Sequence, residues 1–437
     1  MAGIEAILRQ RTHGNYGHFL NHRQALSHCG RFLYYDTRNA DPDIAQTTRI
    51  ESLDLSDDAL RVIYDSQSQS VYGPGVGAVV CHPLRSTVLF IHGLTNCDEN
   101  RRYSMTRRFG AWTSFDPEHP MASIASLESR SLQPVLPWGT LGGGTHAHSF
   151  SSDGRWVSFT YNDALAPERR SVGLAIVDDW ESRCSADAPA ASNGFEEEFQ
   201  GTGWAALALV PQDPIESARE ECWVPNLTGA DAVPKIAWIA RLKTGLVEHP
   251  TIDEIFLAQF PEHALRWPSL SRGQFQSSSN SHGSAAWRLQ APEGIRVQRL
   301  THTESAVHPG VQGPRHWLMA SDCGRWIYTL MKDPLGVVRA VSVCVQTGRC
   351  EFISNNQESI THPPAIDGKT NRMSYLVGKR LTILDLQSGR ESQVAWESQA
   401  FDEMVGPVQF LKDSQGIFWN ARPSGSPWLQ IWTATLQ

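Results

Sequence analysis

The sequence predicts an all-β protein, a seven-bladed β-propeller, with six or eight blades as the alternatives, closed into a single domain over residues 1–437, on three observations. A polar turn followed by a strand of alternating bulky residues recurs along the chain. The later copies recur about every 45 residues, the length of a four-stranded blade. No long amphipathic helix interrupts them.

The clearest copy is GGGTHAHSFSSDGRWVSFTYND, Gly142 to Asp163. HAHSFS reads as a strand, SSDG as a tight turn and RWVSFTYN as a second strand, with Asp153-Gly154 supplying residues that tolerate positive φ. The same turn, often Ser/Asp-x-x-Gly-Arg, appears at Ser27 to Arg38, Cys81 to Gly93, Ser321 to Asp333, Ile366 to Gly378 and Lys412 to Arg422. From Gly154 to Gly324 the interval is too long for one blade, so a degenerate copy is expected around Pro234 to Glu262. Segments 95–138 and 164–226 read as long insertions, and 269–285, rich in serine, as a mobile surface loop.

The hydrophobic fraction of 41%, with 15 Trp and 16 Phe, is ample for a large core. A net charge of -8 gives no general attraction to nucleic acid or to an anionic membrane, and neither is expected as a partner. The N-terminus has no signal-peptide pattern and no stretch reaches the apolar length of a membrane span, so a cytoplasmic setting is expected. Eight cysteines without a CxxC pair read as reduced, small core residues rather than disulfides or a zinc site.

Propeller topology sorts the polar residues. If each hairpin forms the first and second strands of a blade, the glycine turns share one face and the strand-one entries share the other. His18, His146, His148 and His316 precede or open strand one; His92, Tyr161, Asn162, Asp163 and Lys332 end strand two. All are expected at one mouth of the channel. His28 and His82, beside the turns, are expected to be structural.

His146 and His148 are two apart on a strand and so should share a face. With His316 and His18 they suggest a divalent metal site for Mn, Zn, Fe or Ni, because neutral imidazoles suit these ions and three protein ligands leave an open position. The competing reading is polar channel lining that fixes inter-blade packing. Arg315, and Arg107 with Arg108, suit a carboxylate or phosphate, the alternative being ion pairs with nearby acids. Tyr161 and Glu221 are the acid/base candidates with Arg315 beside them; Asn162, Asp163 and Trp223 are candidate ligand contacts, with packing roles as the alternative. No GxSxG elbow follows FIHGLT, and GGG at Gly142 to Gly144 lacks the lysine and helix of a phosphate loop, so no nucleotide cofactor is expected.

The turn-strand pattern and Arg299-Leu300-Thr301 resemble the TolB-type propeller repeat. More closely, GGGTHAHSFSSDG, VSFTYND, EECWVPN (Glu220 to Asn226), RLTHT and PRHW (Pro314 to Trp317) resemble the YidR-like family of bacterial β-propeller proteins, in order and approximate spacing over most of the chain. That resemblance implies seven blades and a cytoplasmic bacterial setting, and carries no assigned reaction. HAH is also similar to part of the ligand pattern of oligogalacturonate lyases, cytoplasmic propellers with a histidine-bound metal, although Gly143 stands where that family places a glutamine. Three functions are carried forward: a metal-dependent lyase or hydrolase of oligosaccharide uronates, a module binding a small anionic or sugar-like ligand, and a scaffold for a protein partner.

Overall fold

The repeated Ser-x-x-Gly turn folds for a local reason. In the third copy the Ser151 hydroxyl accepts the Trp156 N–H at 3.1 Å, and the Gly154 N–H donates to the Ser151 carbonyl at 2.9 Å. Ser27 serves Phe32 and Gly30 in the same way, and Ser321 serves Trp326 and Gly324. The glycine takes φ +70 at Gly154, +78 at Gly30 and +60 at Gly324, the left-handed region that a side chain opposes. Beneath the third turn lies His82, 2.2 Å from where a Cβ on Gly154 would stand. His82 thus packs under a turn, as its place in the sequence suggests.

The computed structural model describes residues 3–67, 69–114, 124–177, 195–226, 233–269, 291–314, 318–396 and 399–437. Their strands form five separate four-stranded sheets, a two-stranded parallel pair, Ser129–Arg130 with Thr140–Leu141, and one eight-stranded sheet, whose two halves meet where Gly3–Gln10 runs parallel to Glu391–Ala395. Counted by antiparallel connection, these are seven four-stranded meanders, over 19–65, 76–126, 143–207, 215–299, 319–352, 365–395 and 401–436. The seventh is completed by the N-terminal strand Gly3–Gln10, antiparallel to Gln430–Leu436. First and last strands therefore share one sheet, which removes an open edge.

Seven apolar clusters lie between successive meanders. One joins Trp112 of the second meander to Phe150 of the third, and another joins Trp156 to Trp238 and Trp267 of the fourth. A further cluster joins Leu20 and Tyr35 of the first to Phe418 and Ile431 of the seventh, so packing continues around the ring. The architecture is a β-propeller. Burying a large side chain in such a seam contributes roughly 2–3 kcal/mol, which is why aromatic residues concentrate there.

The six sequence copies supply the first hairpins of the first, second, third, fifth, sixth and seventh meanders, and the degenerate copy lies in the fourth. The segments expected to be insertions differ from expectation. Segment 95–138 contains Arg108–Ser114 and Ala125–Ser126, and 164–226 contains Arg170–Ile176, Trp204–Leu207 and Ile215–Val224, all strands of the meanders. Ser269 closes a short 3-10 helix, Glu262–Ser269; the remainder of the expected mobile loop lies outside the described residues. The described cysteines are free, but only Cys81 and Cys222 are buried, whereas Cys29, Cys323 and Cys350 are exposed. Among the described residues, no helix is long and apolar enough to cross a membrane.

Candidate functional site

The inner strand Gly143–Phe150 is not regular. Its ladder pairs His146 with Thr160 and Ser149 with Ser158, so three steps on one strand face two on its neighbour. Ala147 absorbs the extra residue at φ +57. The expected alternation is broken, and His146 and His148 are not set on one face by a simple two-residue repeat. The second and fourth meanders carry the same bulge, at Ala78 (φ +55) between Gly77 and Val80 and at Glu220 (φ +55) between Arg219 and Cys222. Gly77, His146 and Arg219 are thus equivalent, as are Val79, His148 and Glu221.

Equivalence explains where the chemistry collects. His148 and Glu221 hold the same position in adjacent meanders, and each leans on the one before. His148 is 2% exposed; its Nε2 lies 3.0 Å from Thr145 Oγ1, and Thr145 Oγ1 donates to Glu128 Oε1. Gly110 of the second meander lies against the ring, since a Cβ there would stand 2.9 Å from His148 Nε2. Burial lowers the His148 pKa to about 3, helped by the Arg108 charge, so the imidazole is neutral near pH 7. Because Thr145 Oγ1 donates to Glu128 Oε1, its oxygen is free to accept from an Nε2–H, which leaves the imidazole lone pair on Nδ1; Nδ1 has no hydrogen-bond partner among the described residues.

Glu221 is fully buried. Thr160 Oγ1 donates to its Oε2 at 2.8 Å, Oε1 has no partner among the described residues, and Arg23 Nη1 donates to its backbone carbonyl at 2.6 Å. Burial pushes this carboxyl up to about 7, against the pull of Arg23 and Thr160. Glu128 is also raised to about 7 by burial. Around the two equivalent positions stand Arg108, 4% exposed, and Arg170, both opening the third strands of their meanders. Burial and the charges of Arg108 and Arg219 lower the Arg170 pKa, while Glu220 and Glu221 raise it.

The remaining sequence candidates divide. Tyr161 is buried in the apolar seam and donates to Asp163 Oδ2 at 2.8 Å; Asp163 also accepts the Leu165 N–H, and Asn162 donates to the Pro167 carbonyl. Trp223 donates its indole N–H to the Ser149 carbonyl at 2.9 Å and lines a cavity of about 410 Å³, to which residues of six meanders contribute, with Arg23, Gln24, Asp322 and Gln409 among its polar residues. His18 is buried where the first meander meets the seventh, stacked on Tyr16 at 4.4 Å and close to Tyr35. His92 accepts or donates to Tyr64 in an aromatic nest with Phe109, and Lys332 is exposed beside Asp253, so neither joins His148. Arg107 pairs with Glu197, the ion-pair alternative. Arg315 and His316 lie outside the described residues.

The four-histidine metal proposal meets a test in these contacts. Among the described residues, no group of three or more His, Cys, Asp or Glu side chains is placed to hold a metal ion. The described residues alone do not fit a metal centre. The sequence singles out Arg108, with Arg107, as a carboxylate or phosphate clamp, but gives no sign of Glu128, Thr145 or Arg170; Arg170 opens a strand that reads as part of an insertion.

The fold and site define a β-propeller with a buried, arginine-flanked acidic and imidazole cluster on its inner strands. Residues 75–179 match a family model described as a protein of unknown function, DUF3748. The chain resembles the YidR-like family over nearly its whole length: it is 26% identical to the Uncharacterized protein YidR of Escherichia coli (strain K12) over 433 residues, 95% of each chain. Among solved structures, oligogalacturonate lyase in complex with manganese superposes with a TM-score of 0.56 at 9% identity, covering 100% of this chain and 99% of that one. Oligogalacturonate lyase from Vibrio parahaemolyticus gives 0.50 at 9% identity, covering 99% and 97%. At that identity the likeness is one of fold.

Proposed function

We propose that the protein binds a small anionic, sugar-acid ligand at the cluster on its third and fourth meanders and acts on it as a lyase or hydrolase of oligosaccharide uronates. The observation that carries this is Glu221: a fully buried carboxyl pushed up to about 7, held on one oxygen by Thr160 and without a partner on the other among the described residues. A carboxyl titrating near neutrality suits proton transfer at a sugar carbon or glycosidic oxygen. Arg170 and Arg23 offer positive charge beside it, and His148 offers a neutral imidazole lone pair. In this reading Tyr161, Asn162 and Asp163 support the site from the seam, and Trp223 lines the cavity below.

The names of the fold neighbours support a uronate as the first ligand to try. A divalent cation on His146, His148 and His316 is a separate proposal, tested by elemental analysis of the purified protein before and after chelation; no chemical step here depends on it. Incubation with galacturonate oligosaccharides tests the main reading. An ultraviolet-absorbing unsaturated product marks a lyase, new reducing ends without it mark a hydrolase, and neither product overturns the catalytic proposal.

A second reading, a scaffold for a protein partner, rests on three exposed apolar side chains. Leu165, Val247 (97% exposed) and Leu335 (85%) occupy the loops between second and third strands of three consecutive meanders. A partner that binds there loses affinity when Val247 and Leu335 become serine and keeps it when His146 and His148 are replaced.

A further inference from the structure

Arg108 has more hydrogen-bonding capacity than its surroundings use. The residue is 4% exposed, yet among the described residues its side chain makes one hydrogen bond, from Nη1 to the Tyr103 hydroxyl at 3.1 Å. Among the described residues Nε and Nη2 have no partner and no carboxylate pairs with the guanidinium. The neighbouring Arg107 and Arg130 are different: both reach Glu197, and Arg130 also donates to the carbonyls of Thr106 and Gly143. A buried cation without a counter-charge is costly, and folded chains rarely keep one for packing alone.

Among the described residues no ion pair offsets the charge. It bears on His148, which is neutral, and on Arg170, which is itself a buried cation. His148, on which the Arg108 charge bears, has an unused ring nitrogen, Nδ1, and the next equivalent position carries Glu221, whose Oε1 is also without a partner among the described residues. Two N–H groups on one edge of a guanidinium match an anionic group with two oxygens. The acceptors match hydroxyl donors.

We propose that Arg108 is the receptor for the anionic group of the ligand, a carboxylate or phosphate on a polyhydroxylated sugar, with His148 Nδ1 accepting one of the sugar's hydroxyl protons. The inference deepens the function proposed above and rests on it for the class of ligand, but it requires no turnover.

The test is calorimetric titration of the full-length protein with galacturonate, galactose 6-phosphate, galacturonate methyl ester and galactose. The wild type is expected to bind at least one of the two anions ~10-fold or more tightly than the ester and galactose, and Arg108→Met to erase that difference. The anion that binds identifies carboxylate or phosphate as the group. Because the native partner is missing, Arg108→Met without ligand should melt no lower than the wild type, and the anion should raise the melting temperature of the wild type alone. If Arg108→Met does not fold, Arg108→Lys, which keeps the charge and loses the fork, should still weaken anion binding severalfold. Equal binding of acid and ester, unchanged discrimination in the variants, or no binding of any probe would overturn the proposal. Anion discrimination that depends on Arg108 in a protein that cleaves no uronate leaves this inference standing while the catalytic reading falls. Cleavage with an unchanged KM in Arg108→Met does the reverse.

Discussion

Thr145 Oγ1 lies 3.0 Å from His148 Nε2 and at the same time donates to Glu128 Oε1, so one hydroxyl orients an imidazole on the third meander against a carboxylate that follows the outer strand of the second. Thr145→Val removes that hydroxyl and leaves both partners buried. It should cost about 1–3 kcal/mol in denaturant unfolding, with Thr145→Ser close to wild type.

Gly110 is predicted to be sensitive for a different reason. A Cβ there would meet His148 Nε2 at 2.9 Å and Leu127 Cβ at 3.2 Å. Gly110→Ala should therefore overpack the seam, costing about 1–3 kcal/mol, and displace His148 enough to weaken ligand binding.

The pH dependence of stability has two opposing parts. Glu128 and Glu221 are raised from 4.5 to about 7, so the folded chain holds more protons than the unfolded one across that window. Their contribution is present below about 4.5 and is lost as pH rises through 7. His148 is lowered from 6.5 to about 3, so its contribution is lost as pH falls below 6.5. Relative to wild type, Glu221→Gln should gain stability between pH 5 and pH 8, and His148→Gln between pH 7 and pH 4.5. Chemical denaturation at those pH values checks both signs.

The N-terminal strand is the last predicted point of weakness. Gly3–Gln10 pairs with Gln430–Leu436 over Ala6 to Gln10 and with Glu391–Ala395 over Gly3 to Glu5. Deleting residues 1–10 opens the edge of the seventh meander. The melting temperature should fall by about 5 °C or more, measured by scanning calorimetry.

Much of the fold is legible because the repeated hairpin is local. Ser151 and Gly154 satisfy each other within the turn, and the same arrangement can be read at Ser27 and Ser321. The outer strands are less legible, since Arg108–Ser114 and Trp204–Leu207 lie in polar, proline-bearing surroundings that resemble insertions. The two-residue repeat expected to set His146 and His148 on one face is interrupted at Ala147, which nothing in the sequence marks as a bulge; alanine has no preference for φ +57, and its tertiary surroundings impose it. Glu128 gave no signal, because its partner Thr145 is brought to it only when two meanders pack.

The central claim is that the buried cluster around Glu221 performs proton transfer on a uronate. Its most direct test is the rate of product formation from a galacturonate oligosaccharide by wild type and by Glu221→Gln, with folding of both checked by circular dichroism. The expected result is turnover by the wild type and a loss of about 100-fold or more in kcat for the variant, as for removal of a general acid or base. Equal rates in the two proteins, or no turnover by the wild type, would contradict it.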